Sequence, residues 1–258
     1  MPADDLTLLV EAAEAAGEIA LKHRHNETLN TTEKPDGQGP VTAADLEIDA
    51  MLRARLTSAR PGYGWLSEES SDDGTRLSAS QTFIVDPIDG TRAYIEGGRG
   101  FCHALAVVDA EGVSAAAAHF PVLKRTYAAA RGHGATLNGA PIHAQEPCAT
   151  PPDVLITRNM LESFHWPGGT PRVNRAYRPS LIARLCYVAE GRFAASLTFR
   201  QSWEWDVAAG SLILSEAGAT ITDGHGAPLR YNQPDPRHPG LIAAAPGYHA
   251  ELLSHRLG

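Results

Sequence analysis

The sequence predicts an α+β half followed by an α/β half. Three observations carry this. Apolar residues recur at helical spacing near both ends, and the middle is a series of short apolar segments separated by turn formers or polar residues. After the proline-rich stretch "EPCATPPD", strand and helix patterns alternate. That stretch divides the chain into halves at 1–148 and 149–258.

Each element follows from its own residues. From Asp4 to Arg24, Leu6, Leu9, Val10, Ala13, Ala16, Ile19 and Ala20 mark one face of an amphipathic helix. "NETLNTTEKPDGQGP" gathers turn formers and polar residues and reads as a mobile loop. A second helix begins at "VTAADLEIDAMLRARL", with Thr42 and Asp45 spaced as a capping pair, and ends at Pro61-Gly62. "GYGWLSEES", "QTFIVDP", "FCHALAVVDA", "VSAAAAHF" and "RTYAAARG" are strand candidates. Asn138-Gly139, between two strand-like arms, predicts a hairpin. Beyond the break come a strand at "VLITR", a helix from Ser180 to Glu190 closed by Gly191, and a strand at "RFAASLTF". A helix from Asp206 to Ala217 closed by Gly218, strands at "ATITD" and "LIAAA", and a last helix to Leu257 complete the series.

Composition narrows the function. The chain has 258 residues, 43% hydrophobic and 20% charged, as in ordinary globular proteins. No apolar run approaches the roughly 20 residues that span a bilayer, so no stable membrane insertion is expected. The acidic start "MPADDLTLLV" does not read as a secretory signal. A net charge of −8 with no Lys/Arg cluster argues against a nucleic-acid polymer and favours small ligands or cations. Cys102, Cys148 and Cys186 lack metal-ligand spacing and suit free thiols in a cytoplasmic protein.

The chemistry lies in carboxylates at the ends of apolar segments: Glu68-Glu69 in "WLSEES", Asp86 and Asp89 in "FIVDPIDGT", and Asp206 in "WEWDVAAG". Burying such acids is costly unless something offsets their charge. If several ends converge, they repel one another unless cations lie between them, and magnesium favours oxygen ligands of this kind. Pro87 stiffens the turn and aims the Ile88 carbonyl, while Gly90 permits close backbone approach. Thr91 then opens a short helical segment whose free N–H groups suit a phosphate.

Each piece also has a structural explanation. A lone Trp-Asp pair reads first as a helix cap at Asp206, and Asp45 as the partner of Thr42. Glu68-Glu69 fits a solvated strand end, and DPIDG fits a plain turn. Together these explanations require several independent coincidences.

"PVTAAD", "LSEES", "VDPIDGTRAYIEG" and "WEWDVAAG", in this order from Val41 to Gly218, resemble the motif set of the inositol monophosphatase superfamily. The resemblance implies a layered α-β-α-β-α sandwich of the inositol monophosphatase and fructose-1,6-bisphosphatase type. It implies a magnesium-dependent phosphomonoesterase with two or three ions per site, manganese as a substitute and lithium as an inhibitor. On these motifs Glu68, Asp86 and the Ile88 carbonyl resemble ligands of a first metal, and Asp86, Asp89 and Asp206 those of a second. Glu68 would also hold a third ion through water. Asp89, Gly90 and Thr91 resemble the phosphate seat. Thr91 and Asp45 resemble the pair that orients and deprotonates the attacking water, and with Glu68 form the implied catalytic set. Lys34 resembles a basic residue near the metals, and a homodimer is expected.

Other phosphatase signatures fit less well. Haloacid dehalogenase phosphatases use DxDGT, whereas Asp86 and Asp89 stand three apart with Pro87 between. "CYVAEGR" matches C-x5-R, but Cys186 shares helical spacing with Leu181, Ile182, Leu185 and Val188 and reads as a core thiol. No G-x-S-x-G, H-E-x-x-H or Walker loop is present, and His23 and His25 at i and i+2 share no helix face.

Substrate choice is less legible. Inositol-selective relatives carry an acid before the Trp-Asp pair, where this chain has Phe199, Arg200 and Gln201. "LSEE", "DGTRAYIEG" and "LCYVAEGRF" are more similar to bacterial 3'(2'),5'-bisphosphate nucleotidases, implying adenosine 3',5'-bisphosphate as substrate. Arg184 and Arg200 are candidates for its second phosphate, against the alternative of solvated surface arginines. Inositol 1-phosphate and histidinol phosphate remain alternatives, as does a non-catalytic ligand-binding regulator of the same fold.

Overall fold

The computed structural model describes residues 2–24, 30–34 and 39–258. Helices α1 (Pro2–Arg24) and α2 (Ala43–Ala59) cover one face of a seven-stranded sheet. Its order is β3 (Gly64–Ser67), β4 (Thr82–Asp89), β5 (Cys102–Asp109), β6 (Gly112–Phe120), β7 (Arg125–Ala130), β8 (Ala135–Leu137) and β9 (Ala140–Ile142). Only β3 and β4 run parallel; the other neighbours are antiparallel meanders that short turns can join.

Strand alternation sorts the core into layers. Leu105, Val107, Ala115 and Ala117 face Leu9, Ala13, Ile48 and Leu52. Ala104, Ala106, Ala116 and Ala118 face the opposite way, onto α4 (Leu181–Ala189) and α5 (Ala208–Glu216). The small alanine side chains let helices pack closely on both faces.

Beneath α4 and α5 lies a five-stranded sheet. Its order is β11 (Asn174–Ala176), β10 (Asp153–Leu155), β12 (Ala195–Trp203), β14 (Arg237–Ala244) and β13 (Thr220–Asp223). Its far face packs Val154, Leu197 and Ile242 on Trp166 and on Tyr248 and Leu252 of α6 (Pro246–Leu257). The stack is therefore helix, sheet, helix, sheet, helix, as the resemblance implied.

Several local expectations hold. Thr42 caps α2 in a full capping box, and Asn138 and Gly139 both take positive φ, 50° and 80°, as a type I' hairpin turn requires. Others need correction. Within the expected loop, β1 (Thr31–Glu33) is a strand, and it pairs antiparallel with β2 (Pro40–Thr42), which takes the last loop residue and the two residues that opened the expected second helix. Thr31–Glu33 is wholly exposed, so no apolar alternation announces it. Residues 26–29 and 35–38 of that loop, and His25, lie outside the described residues. The polar strand Asn174–Ala176 was likewise not expected.

Candidate active site

The site forms where the ends of β3 and β4 meet the start of α2 and the first turns of α4 and α5. The β4 end carries a bulge: Asp86 pairs with Ala104 and Asp89 with Cys102, so Pro87 and Ile88 stand opposite the single residue His103. His103, between those partners, is fully buried, and its Nδ1 lies 2.6 Å from the Pro87 carbonyl. Burial lowers its pKa to about 3, so the ring is neutral and Nδ1–H donates to that carbonyl. His119 stacks behind it, with ring centroids 6.4 Å apart. Neither histidine was singled out from sequence; the one clue was a polar residue inside the apolar "FCHALAVV".

Gly90 adopts φ +96°, a conformation open to glycine, and lets Thr91 begin the short helix α3 (Thr91–Ile95). Asp89 Oδ2 accepts two bonds of 2.7 Å, from Ser180 Oγ and from the backbone N–H of Ile182. The other Asp89 oxygen is left for the pocket. Ser180 also caps α4, so one residue joins the two halves of the chain at the site.

Asp45 divides its labour. Its Oδ2 accepts from Thr42 N at 2.8 Å and Thr42 Oγ1 at 2.6 Å, while its Oδ1 lies 3.5 Å from Thr91 Oγ1. The capping and catalytic explanations of Asp45 are thus compatible. The single Thr91 hydroxyl proton has a second acceptor in reach, the Ile88 carbonyl at 3.0 Å, so it turns between the two. Asp206 is not the cap of α5: Val207 holds that position, and Asp206 Oδ2 accepts from Trp203 N at 3.2 Å in the preceding turn.

Asp86, Asp89 and Asp206 each offer an oxygen, all within 4.8 Å of one another. Asp86 is 1% exposed, and neither of its carboxylate oxygens has a hydrogen-bond partner among the described residues. Burial pushes the Asp86 carboxyl well above its ordinary pKa, and Glu68, Asp89 and Asp206 push it further by repulsion. Burial and the Asp89 and Glu68 charges push Asp206 well up as well. Burial raises Asp89 to about 6 despite its two donors, and Asp45 to about 6 despite its cap. A buried acid with no donor, beside two other acids, fits a hard divalent cation that takes oxygen ligands.

Glu68 stands beside this cluster rather than in it. Lys34 Nζ bridges Glu68 Oε1 and Glu69 Oε1, at 2.7 Å each. Burial raises Glu69 to about 7, against the pull of Lys34. Lys34, expected as a basic residue near the metals, thus lies at the acidic site.

A cavity of about 270 Å³ opens beside these groups, lined by Glu68, Asp89, Gly90, Thr91, Arg92 and Tyr177 among others. Neither Arg184 nor Arg200 lines it. Arg184 is buried, and its Nε and Nη2 donate to the Arg178 and Pro179 carbonyls at 2.5 and 3.4 Å. Arg200 is exposed on β12, and Phe199 packs against Trp166 and under Arg256 instead of facing a ligand. Cys186 is fully buried with its thiol pKa pushed up by burial, as a core thiol should be. A larger cavity of about 760 Å³ lies between α1 and the β7–β9 edge and holds none of these acids.

The model of the inositol monophosphatase family matches residues 2–257. The chain belongs to this family. It is 31% identical over 263 residues to the 3'-phosphoadenosine 5'-phosphate phosphatase of Mycobacterium leprae, covering 92% of this chain and 88% of the relative. It is 32% identical over 234 residues to the inositol-1-monophosphatase of Rhizobium meliloti, covering 86% of each. The solved Thermotoga maritima IMPase superposes with a TM-score of 0.83 at 25% identity, over 97% of this chain and 95% of that one. As a member of the inositol monophosphatase family the chain is a phosphomonoesterase. No helix among the described residues is long and apolar enough to cross a membrane.

Proposed function

We propose that the chain is a magnesium-dependent phosphomonoesterase whose substrate is adenosine 3',5'-bisphosphate, from which it removes the 3'-phosphate. The observation that carries the metal requirement is Asp86, buried with both oxygens unpartnered beside Asp89 and Asp206. Asp86, Asp89 and Asp206, with Glu68 and the Ile88 carbonyl, would hold the ions. When bound, divalent cations acidify water and offset the charge that grows on the leaving oxygen.

The chain's own residues supply the rest. Asp89, Gly90 and Thr91 seat the phosphate. Asp45 Oδ1, facing the Thr91 hydroxyl, receives the proton of the attacking water through that hydroxyl. Its pKa of about 6 leaves it ionised and basic near neutral pH. Lys34 pairs with Glu68 and Glu69 and offsets part of their charge. No side chain need bond covalently to phosphorus.

The nucleotide preference is supported by the absence of an acid among Phe199, Arg200 and Gln201 and by the likeness of "LSEE", "DGTRAYIEG" and "LCYVAEGRF" to bisphosphate nucleotidases. A 3'-phosphoadenosine 5'-phosphate phosphatase stands among the relatives at 31% identity, beside an inositol-1-monophosphatase at 32%. The reading includes manganese as a substitute ion, lithium as an inhibitor, a homodimer and a cytoplasmic location. The test is phosphate release from adenosine 3',5'-bisphosphate, inositol 1-phosphate, fructose 1,6-bisphosphate and histidinol phosphate, each with and without magnesium. The nucleotide should be the best substrate and magnesium essential. Release that persists in a chelator, or a polyol phosphate as the best substrate, contradicts the respective part.

A further inference from the structure

The catalytic acids account for the scissile phosphate but not for what distinguishes one ester from another. Two residues of the same cavity have no part in the chemistry so far. Tyr177 is 48% exposed on the cavity wall, although a large aromatic at a surface usually buries more of its ring. The ring is braced: the Arg184 guanidinium lies over it, 4.9 Å from the ring centroid. Arg184 is itself locked by its bonds to the carbonyls of Arg178 and Pro179, the two residues that follow Tyr177 in its loop. Arg178 Nη1 adds a 2.6 Å bond to the Tyr177 carbonyl. An exposed ring fixed in this way is a prepared flat surface, and its ordering cost is met before any ligand arrives.

Arg92 is the second residue. It is exposed, it is the one cationic side chain among the described residues that line the cavity, and its guanidinium makes no hydrogen bond or ion pair among them. It follows Thr91 directly, so it extends from the phosphate seat.

Resting on the nucleotidase reading above, we propose that Tyr177 and Arg92 form the specificity subsite: the Tyr177 ring stacks on the nucleobase, and Arg92 pairs with the second phosphate. Arg184 acts as the brace behind the ring instead of as a phosphate ligand. The Tyr177 face is sequence-tolerant, because every nucleobase has a π face. Arg92 separates bisphosphates from monophosphates through a charge-assisted contact.

The test compares ratios of kcat/KM in wild type, Tyr177→Leu, Tyr177→Phe and Arg92→Gln, with adenosine 3',5'-bisphosphate, adenosine 3'-phosphate and glycerol 2-phosphate as substrates. Tyr177→Leu should lower the ratio of nucleotide to glycerol phosphate by about 5- to 150-fold, the effect of one lost base stack. Tyr177→Phe should restore it. Arg92→Gln should lower the ratio of bisphosphate to monophosphate nucleotide by about 10-fold or more. Calorimetric titration with adenosine 5'-phosphate should show weaker binding in Tyr177→Leu and near-normal binding in Tyr177→Phe. Unchanged ratios in an enzyme that prefers the nucleotide overturn the subsite and leave the nucleotidase reading intact. A wild type that prefers glycerol phosphate overturns both.

Discussion

A strand end and a turn of this molecule each bury a carboxylate, and they treat it in opposite ways. Glu204, in the turn after β12, is 0% exposed, and its two oxygens accept the backbone N–H groups of Asn232 and Gln233 at 2.7 and 3.0 Å. Asp86, near the end of β4, is as deeply buried and accepts nothing from the described residues. Burial raises both groups, Glu204 to about 7, yet only Asp86 is crowded by Glu68, Asp89 and Asp206. Asp49 resembles Glu204, since Ser67 and Ser70 donate to its oxygens at 2.6 and 2.5 Å. An acid whose oxygens are all met holds the fold together. One whose oxygens are all free, beside others of its charge, awaits a cation.

This contrast can be broken most forcefully by Asp86→Asn. Losing a metal ligand forfeits several kcal/mol of transition-state stabilisation, so phosphate release should fall by about 10³-fold. In chelator the same variant should melt higher than wild type, since an uncompensated buried acid is gone. A lower melting temperature would place Asp86 with Glu204 among the structural acids.

Ser180→Ala sharpens the role of positioning. It removes one of the two donors that aim Asp89, so magnesium affinity, read by calorimetry, should fall about 10- to 100-fold. An unchanged affinity would mean that the Ile182 N–H alone suffices. Glu204→Ala should act on stability instead, removing the acceptor of the Asn232 and Gln233 N–H groups at a cost of about 1–3 kcal/mol in all. Its melting temperature should drop in chelator, the opposite sign to Asp86→Asn.

The smallest effect is on pH. Asp45 and Asp89 titrate at about 6 in the folded chain and near 4 when unfolded. The folded state therefore holds more protons in that window, and stability without metal should fall as pH rises from about 4 to 6. With magnesium present the fall should flatten, because the cation favours the ionised forms. Melting scans in chelator and in magnesium across this range check both slopes.

Much of this was legible in the sequence because the signals are local. The short apolar runs "FCHALAVVDA" and "VSAAAAHF", Asn138-Gly139, and the glycines after α4 and α5 marked the element order. The acids at apolar ends marked the site. Contacts between distant segments left no such trace. Ser180 reaches Asp89 across 91 positions, and it read from sequence only as the start of a helix. His103 holds the Pro87 carbonyl across 16. The exposed strand Thr31–Glu33 owes its form to its partner Pro40–Thr42, not to apolar periodicity.

The central claim is tested most directly by titrating magnesium or manganese into metal-free protein by calorimetry at pH 7, in two buffers of different ionisation heat. The account predicts saturable binding with net proton release from the raised carboxyls, and loss of that binding in Asp86→Asn. Wild type that takes up no cation, or Asp86→Asn that binds as wild type does, would contradict it.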